Sequence, residues 1–223
     1  MYSDVFERSL AQFEGTMKVT KAKAQANRAH VVETASTLFR RLGYDGVGVA
    51  DLMAAAGFTH GGFYKQFGSK VDLMAESAAC GIAQTAALSA GVDMSVFVQH
   101  YLSRKHRDTP ASGCTIAALG ADAARQPETV RTTFAAGIER LLASLEPEDS
   151  SLDDADAGRR RADSLDILAH VVGAIVMSRA CPDDSPLADE ILAVCRDRCL
   201  ASLTPPSPSP SPSPSPSPSP ANL

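Results

Sequence analysis

The stretch Val47–Phe67 reads VGVADLMAAAGFTHGGFYKQF. Its first half places Val49, Leu52 and Met53 on one side of a short helix, Val49 to Ala55, which Gly57 ends. Thr59 then stands where an N-cap belongs, ahead of a second short helix running through Lys65. Two short helices, a glycine-containing turn and alanines where backbones must approach are the pattern of a helix-turn-helix. Val49, Leu52, Met53, Ala56, Phe58 and Phe63 supply its small core, leaving Thr59, His60, Gly61, Gly62, Tyr64 and Lys65 outside. In such a unit the second helix enters the DNA major groove, its N-terminal residues first.

On the N-terminal side, Val31, Val32, Ala35, Leu38 and Phe39 follow the spacing of an amphipathic helix over Asn27–Arg41, closed by Gly43. On the other side Ser69 caps a helix from Lys70 to about Leu88. Charge supports the reading. The chain carries a net −5, yet Lys18, Lys21, Lys23, Arg28, Arg40, Arg41, Lys65 and Lys70 face only Glu33, Asp45 and Asp51 between residues 18 and 70. Phosphate contact depends on local charge, so this basic segment outweighs the total. Met17 directly precedes the basic run and reads as an alternative start, with 1–16 an extension.

The run from Arg28 through Leu73 resembles the DNA-binding domain of the TetR/AcrR family. Leu38-Phe39 and Gly43-Tyr44 match the close of that family's first helix. The family pattern AxxAGxSxGxxYxHFxxKxxL aligns without gaps from Met53 to Leu73, matching Ala56-Gly57, Gly61, Tyr64, Phe67, Lys70 and Leu73, with Thr59 in place of Ser. Met53 and Gln66 depart from it, and Gly48 stands where the family has a capping Thr. Gly62 adds a second glycine to the recognition helix, at a cost of about 1 kcal/mol relative to Ala.

The resemblance implies a double-stranded DNA operator as partner. Its contacts would come from Thr59, His60, Gly61, Gly62, Tyr64, Lys65 and Lys70, with Lys18, Lys21, Lys23 and Arg28 as a basic arm. Each has a plainer alternative: Thr59 a cap only, His60 idle, the glycines a turn, Tyr64 a packing ring, the arm a solvated run. Lys70 at a helix start is placed to meet phosphate.

Beyond residue 90, helical stretches are expected over 94–107, 114–126, 127–145, 163–180 and 187–202, with an acidic loop from Glu146 to Asp156. His100–Arg125 resembles, more weakly, the sensor centre of one TetR subgroup. Cys114 opens a helix there, where the dipole favours thiolate, and Arg104, Lys105, His106 and Arg107 add to that effect if they fold nearby. Cys114 is a candidate redox sensor, or a packed core thiol. The helices at 163–180 and 187–202 resemble the family's two-fold four-helix bundle. Leu165, Leu168, Val171, Val172, Ile175 and Val176 give the first a wide apolar surface, either a dimer interface or the monomer's own core. Ile191, Leu192, Val194, Cys195 and Cys199 do likewise for the second.

Five cysteines in no metal or disulfide spacing read as free thiols, and neither a metal nor a cofactor is expected. No apolar run reaches membrane-spanning length and no signal peptide is legible, so a cytoplasmic location is expected. The expectation is an all-α regulator with four parts. A basic arm occupies 1–24, a three-helix DNA-binding domain 25–85 (helix-turn-helix 48–67), an effector-binding and dimerisation domain 86–204, and a disordered Ser-Pro tail 205–223. The expected function is a homodimeric repressor released by a small-molecule, electrophile or oxidant effector. The rival is a small helical binding protein or enzyme without DNA-binding activity. No nucleophile-base-acid set or phosphate loop is legible, which argues against an enzyme.

Overall fold

The computed structural model describes residues 3–145 and 154–204, and among these the regular structure is all helical. Nine α-helices follow in order: α1 (Ser3–Leu42), α2 (Val49–Ala55), α3 (Lys70–Ser89), α4 (Met94–Tyr101), α5 (Arg104–Asp108), α6 (Thr115–Ala123), α7 (Glu128–Leu145), α8 (Asp154–Arg179) and α9 (Pro186–Leu203). Short 3-10 helices at His60–Lys65 and Pro110–Ser112 complete the set. No helix among the described residues is long and apolar enough to cross a membrane. The Ser-Pro tail and most of the expected acidic loop lie outside the described residues.

Several boundaries differ from expectation. Helix α1 does not begin near Asn27 but at Ser3, so the basic arm continues the first helix. Alanine and the straight-chain residues Lys and Gln in KAKAQ favour that continuation. The expected helix 94–107 breaks at Leu102, because Ser103 starts α5 by accepting a hydrogen bond from the His106 amide at 3.2 Å. Asp154–Asp156, expected in the acidic loop, belong to α8.

Two apolar clusters form the interior. One gathers Val31, Phe39, Tyr44, Leu52, Met53, Phe63 and Phe67 with Leu119 of α6 and Phe134 of α7. The other lies among α4, α6, α7, α8 and α9. Helix α3 serves both, so the boundary expected at residue 85 falls inside a helix. Leu168, Val171 and Ile175, part of the apolar surface expected to be either a dimer interface or the monomer's own core, are monomer core, with Ile175 0% exposed. The apolar side chains α8 and α9 leave in solvent are Leu165, Val176, Met177, Leu187 and Val194.

One polar contact ties the halves together. Arg40 in the last turn of α1 is buried, its Nε donating to the Ala111 carbonyl at 2.8 Å. Its Nη1 donates to Ser36 Oγ at 2.8 Å and Thr115 Oγ1 at 3.3 Å. The sequence had counted Arg40 with the DNA-facing charge; its guanidinium instead faces the C-terminal half. Burial pushes its pKa down. Gly81 of α3 makes the approach feasible, since a Cβ there would sit 2.3 Å from Thr115 Oγ1 and 2.4 Å from Arg40 Nη1. Gly81→Ala should therefore cost about 1–3 kcal/mol, as overpacking does. Denaturant unfolding measures this; an unchanged midpoint would mean that the junction gives way freely.

Candidate nucleic-acid interface

The helix-turn-helix is built on one glycine and one phenylalanine. Helix α2 closes with Gly57 in the left-handed region at φ 78°. The Gly57 amide donates to the Ala54 carbonyl at 3.0 Å and the Phe58 amide to Met53 at 2.8 Å, a Schellman termination. That reversal sends the chain into the turn His60–Lys65, anchored by Phe63. The Phe63 ring is fully buried beside Met53 and stacks on Phe67 at 5.4 Å.

This turn is a 3-10 helix rather than the expected α-helix. Two adjacent glycines and a run of only six residues disfavour a longer ladder. Thr59 occupies the N-cap position in extended backbone, but its hydroxyl makes no capping bond. Gly48 likewise starts α2 without a side-chain cap, as its substitution for Thr implied.

Around the buried Phe63, the solvent side carries Thr59, His60, Gly61, Tyr64 and Lys65. Tyr64 is 67% exposed and leans toward His60, ring centroids 5.8 Å apart. The two glycines differ. A Cβ on Gly62 would touch Met53 Cε at 3.5 Å, whereas one on Gly61 would meet nothing within 4 Å. Lys21 and Lys23 stand exposed on α1, while the Lys18 side chain lies outside the described part.

Two other expected contacts are engaged inside the protein. Arg28 pairs through both terminal nitrogens with Glu76, Nη2 to Oε1 at 2.6 Å, and its guanidinium lies 4.4 Å from the Phe67 ring centroid. It fastens α1 to α3 and to the floor of the turn. Hydrogen bonding to Glu76 raises its pKa. Lys70 donates from Nζ to the Tyr44 carbonyl at 2.6 Å, which leaves two N–H donors. Ser69, as expected, caps α3 by accepting from the Asp72 amide at 3.1 Å.

Cys114 is buried at the start of α6. The basic residues before it do not converge on the thiol. Arg104 bonds Asp108 and Asp189, and Arg107, 3% exposed, bonds Ser178, Asp108, Asp183 and the Cys181 carbonyl. The His106 ring accepts at Nε2 from the Cys114 backbone amide at 3.1 Å and faces the Tyr101 carbonyl with Nδ1 at 2.7 Å. Those contacts require the neutral Nδ1–H tautomer. The cations whose charge acts on Cys114 are Arg179, a residue no sequence signal singled out, and Arg40. All five cysteines are free thiols.

The fold and the exposed turn define an all-helical protein that carries a helix-turn-helix near its N-terminal end. Residues 31–76 match the model for bacterial regulatory proteins of the tetR family. Three solved structures resemble most of the chain. The reduced form of NemR from E. coli is 18% identical with a TM-score of 0.62, covering 79% of this chain and 96% of its own. A TetR transcriptional regulator from Chloroflexus aurantiacus is 21% identical at 0.61, covering 82% and 97%. A TetR-family transcriptional regulator from Agrobacterium tumefaciens is 22% identical at 0.53, covering 78% and 98%. No curated protein matches the sequence. Residues 31–76 therefore carry a DNA-binding domain of the tetR family, and the chain shares the all-helical fold of these solved structures.

Burial lowers the His106 pKa below its usual value near 6.5, since the neutral ring alone can accept from the Cys114 amide. Below about pH 6.5 the unfolded chain takes up this proton more readily than the folded one, so stability falls as pH drops and is retained above. Thermal midpoints from about pH 7.5 to 5 should show a steeper decline in the native chain than in His106→Gln. Parallel curves would contradict the neutral role.

Proposed function

We propose that the chain is a homodimeric repressor whose turn His60–Lys65 reads an inverted-repeat operator, released by a small-molecule, electrophile or oxidant effector. The observation that carries the reading is Gly61. Its backbone is ordinary and no protein atom crowds its missing side chain, so the folded monomer itself does not require a glycine. A close approach by an outside surface does require one. His60 and Tyr64 stand beside it for base edges and phosphate, with Thr59, Gly62 and Lys65 completing the face. Lys18, Lys21, Lys23 and Lys70 supply flanking positive charge; Arg28 is left out because Glu76 holds it.

Gel shifts and footprinting on DNA upstream of the gene test this reading. Gly61→Ala should keep its thermal midpoint and lose about tenfold in operator affinity, the scale of one disturbed base contact. Lys65→Ala should lower the slope of log affinity against log salt by about 0.9. Absence of sequence-specific protection in the native chain would favour the binding-protein alternative.

Dimerisation is assigned to α8 and α9. Leu165, Ala169, Val172, Gly173 and Val176 lie on one face of α8 at helical spacing, each at least partly in solvent, and a Cβ on Gly173 would meet nothing within 4 Å. Leu187, Ile191 and Val194 continue that apolar character on α9. Paired copies would present two turns about 34–36 Å apart, one DNA turn, or a multiple of that. Val176 is 43% exposed in the monomer, so Val176→Glu should preserve helix content. In the dimer it would bury an unpaired carboxylate, costing about 3–5 kcal/mol. Sedimentation should find monomers; a dimeric variant protecting both half-sites would place the interface elsewhere.

A further inference from the structure

Four buried side-chain polar atoms among the described residues lack a hydrogen-bond partner, and two of them, Tyr101 Oη and Arg179 Nη1, belong to neighbouring side chains. Tyr101 lines a cavity of about 360 Å³ between α3, α4 and the segment leading into α6. Its side chain is 95% buried, and the Cys114 thiol lies beside the hydroxyl without meeting hydrogen-bond geometry. A buried donor without an acceptor costs stability, so native proteins rarely keep one without another use for it.

The chemistry of this end of the cavity is one-sided. Burial raises the Tyr101 pKa well above normal, which keeps its O–H a donor. Arg179 spends Nε on the Arg107 carbonyl at 3.0 Å and Nη2 on the His106 carbonyl at 2.7 Å, while Nη1 stays free. Nη2 sits 3.3 Å from where a Cβ on Gly113, a lining residue, would lie. Both His106 nitrogens are engaged, so its ring offers a ligand nothing further. No described residue lining the cavity is acidic. The walls are largely apolar, through Leu88, Val92, Val96 and Phe97, with Thr85, Ser89, His100 and Ser112 as polar members; Leu88, 80% exposed, and Val96 also reach solvent.

We propose that this cavity binds an apolar monocarboxylic acid, its carboxylate accepting from Tyr101 Oη with Arg179 as counter-charge, its hydrocarbon body lying on Leu88, Val92, Val96 and Phe97. A half-buried guanidinium just behind the Gly113 wall, with Nη1 buried and its bonded partners all carbonyls, favours an anion over a neutral carbonyl compound. The cavity volume is within the range of small-ligand sites. The segment that floors it also presents the Ala111 carbonyl and the Thr115 hydroxyl to Arg40. Occupancy is thereby communicated to α1, which packs against the helix-turn-helix. This regulatory half rests on the repressor reading; the binding half does not.

Calorimetry on the full chain tests it with octanoate and 4-phenylbutanoate, each against its matching alcohol and primary amine. At least one acid should bind about tenfold or more tightly than its alcohol and amine. Tyr101→Phe should lower that affinity about tenfold or more, with a thermal midpoint unchanged or raised because only an unpaired hydroxyl is lost. Leu88→Glu, which removes part of the apolar wall at the mouth and adds a negative charge, should weaken both the acid and the alcohol, the acid more. Neither acid binding, acid, alcohol and amine binding alike, or both variants binding the acid as the native chain does, would overturn the proposal. Operator binding without ligand is measured alongside: its loss in the native chain would sink the repressor reading and leave the cavity result standing.

Discussion

The buried guanidinium of Arg40 is the constraint on which the rest of the molecule depends. It stands at the end of the first helix and bonds the Ala111 carbonyl ahead of α6 and the Thr115 hydroxyl in its first turn. An arginine this deep tolerates little displacement, because each lost bond leaves a charged donor unsatisfied away from water. The orientation of α1 is therefore set by the C-terminal half. The turn His60–Lys65 packs on α1 through one continuous apolar cluster, so its placement follows.

Within that frame the turn His60–Lys65 is weakly held by its own backbone. It is a 3-10 helix with two glycines and no side-chain cap at either Gly48 or Thr59. Its order comes from below: Phe63 on Phe67, Phe67 under the Arg28 guanidinium, and Arg28 on Glu76 of α3. Two glycines contribute no side-chain packing to the turn, so its stability moves to the layer beneath it.

Charged residues illustrate the difference between composition and position. Along the sequence Arg28, Arg40 and Lys70 look alike, parts of one basic run. In the fold the first is clamped to a carboxylate, the second is buried at the junction and the third bonds a carbonyl. Arg104 and Arg107, adjacent to Cys114 in reading order, are consumed by acids and carbonyls around the α8–α9 turn. The cationic charge that acts on Cys114 comes instead from Arg179 and Arg40, both distant in sequence.

The sequence by itself determined the helical class, the helix-turn-helix and its register. Those rest on local rules: apolar periodicity, Gly43 and Gly57 at positive φ, Ser69 as a cap, and a motif whose residues lie within one short stretch. It also placed Tyr64 and His60 on the outer surface, because Phe63 between them had to face inward. Only the tertiary structure decided which basic side chains stay free, that Ile175 is core while Val176 is not, and that Tyr101 and Arg179 leave donors unpaired beside one cavity. Each of those outcomes depends on partners far away in the chain. A side chain's acceptor, its exposure and its charge environment are set by what folds against it, and no local pattern carries that information.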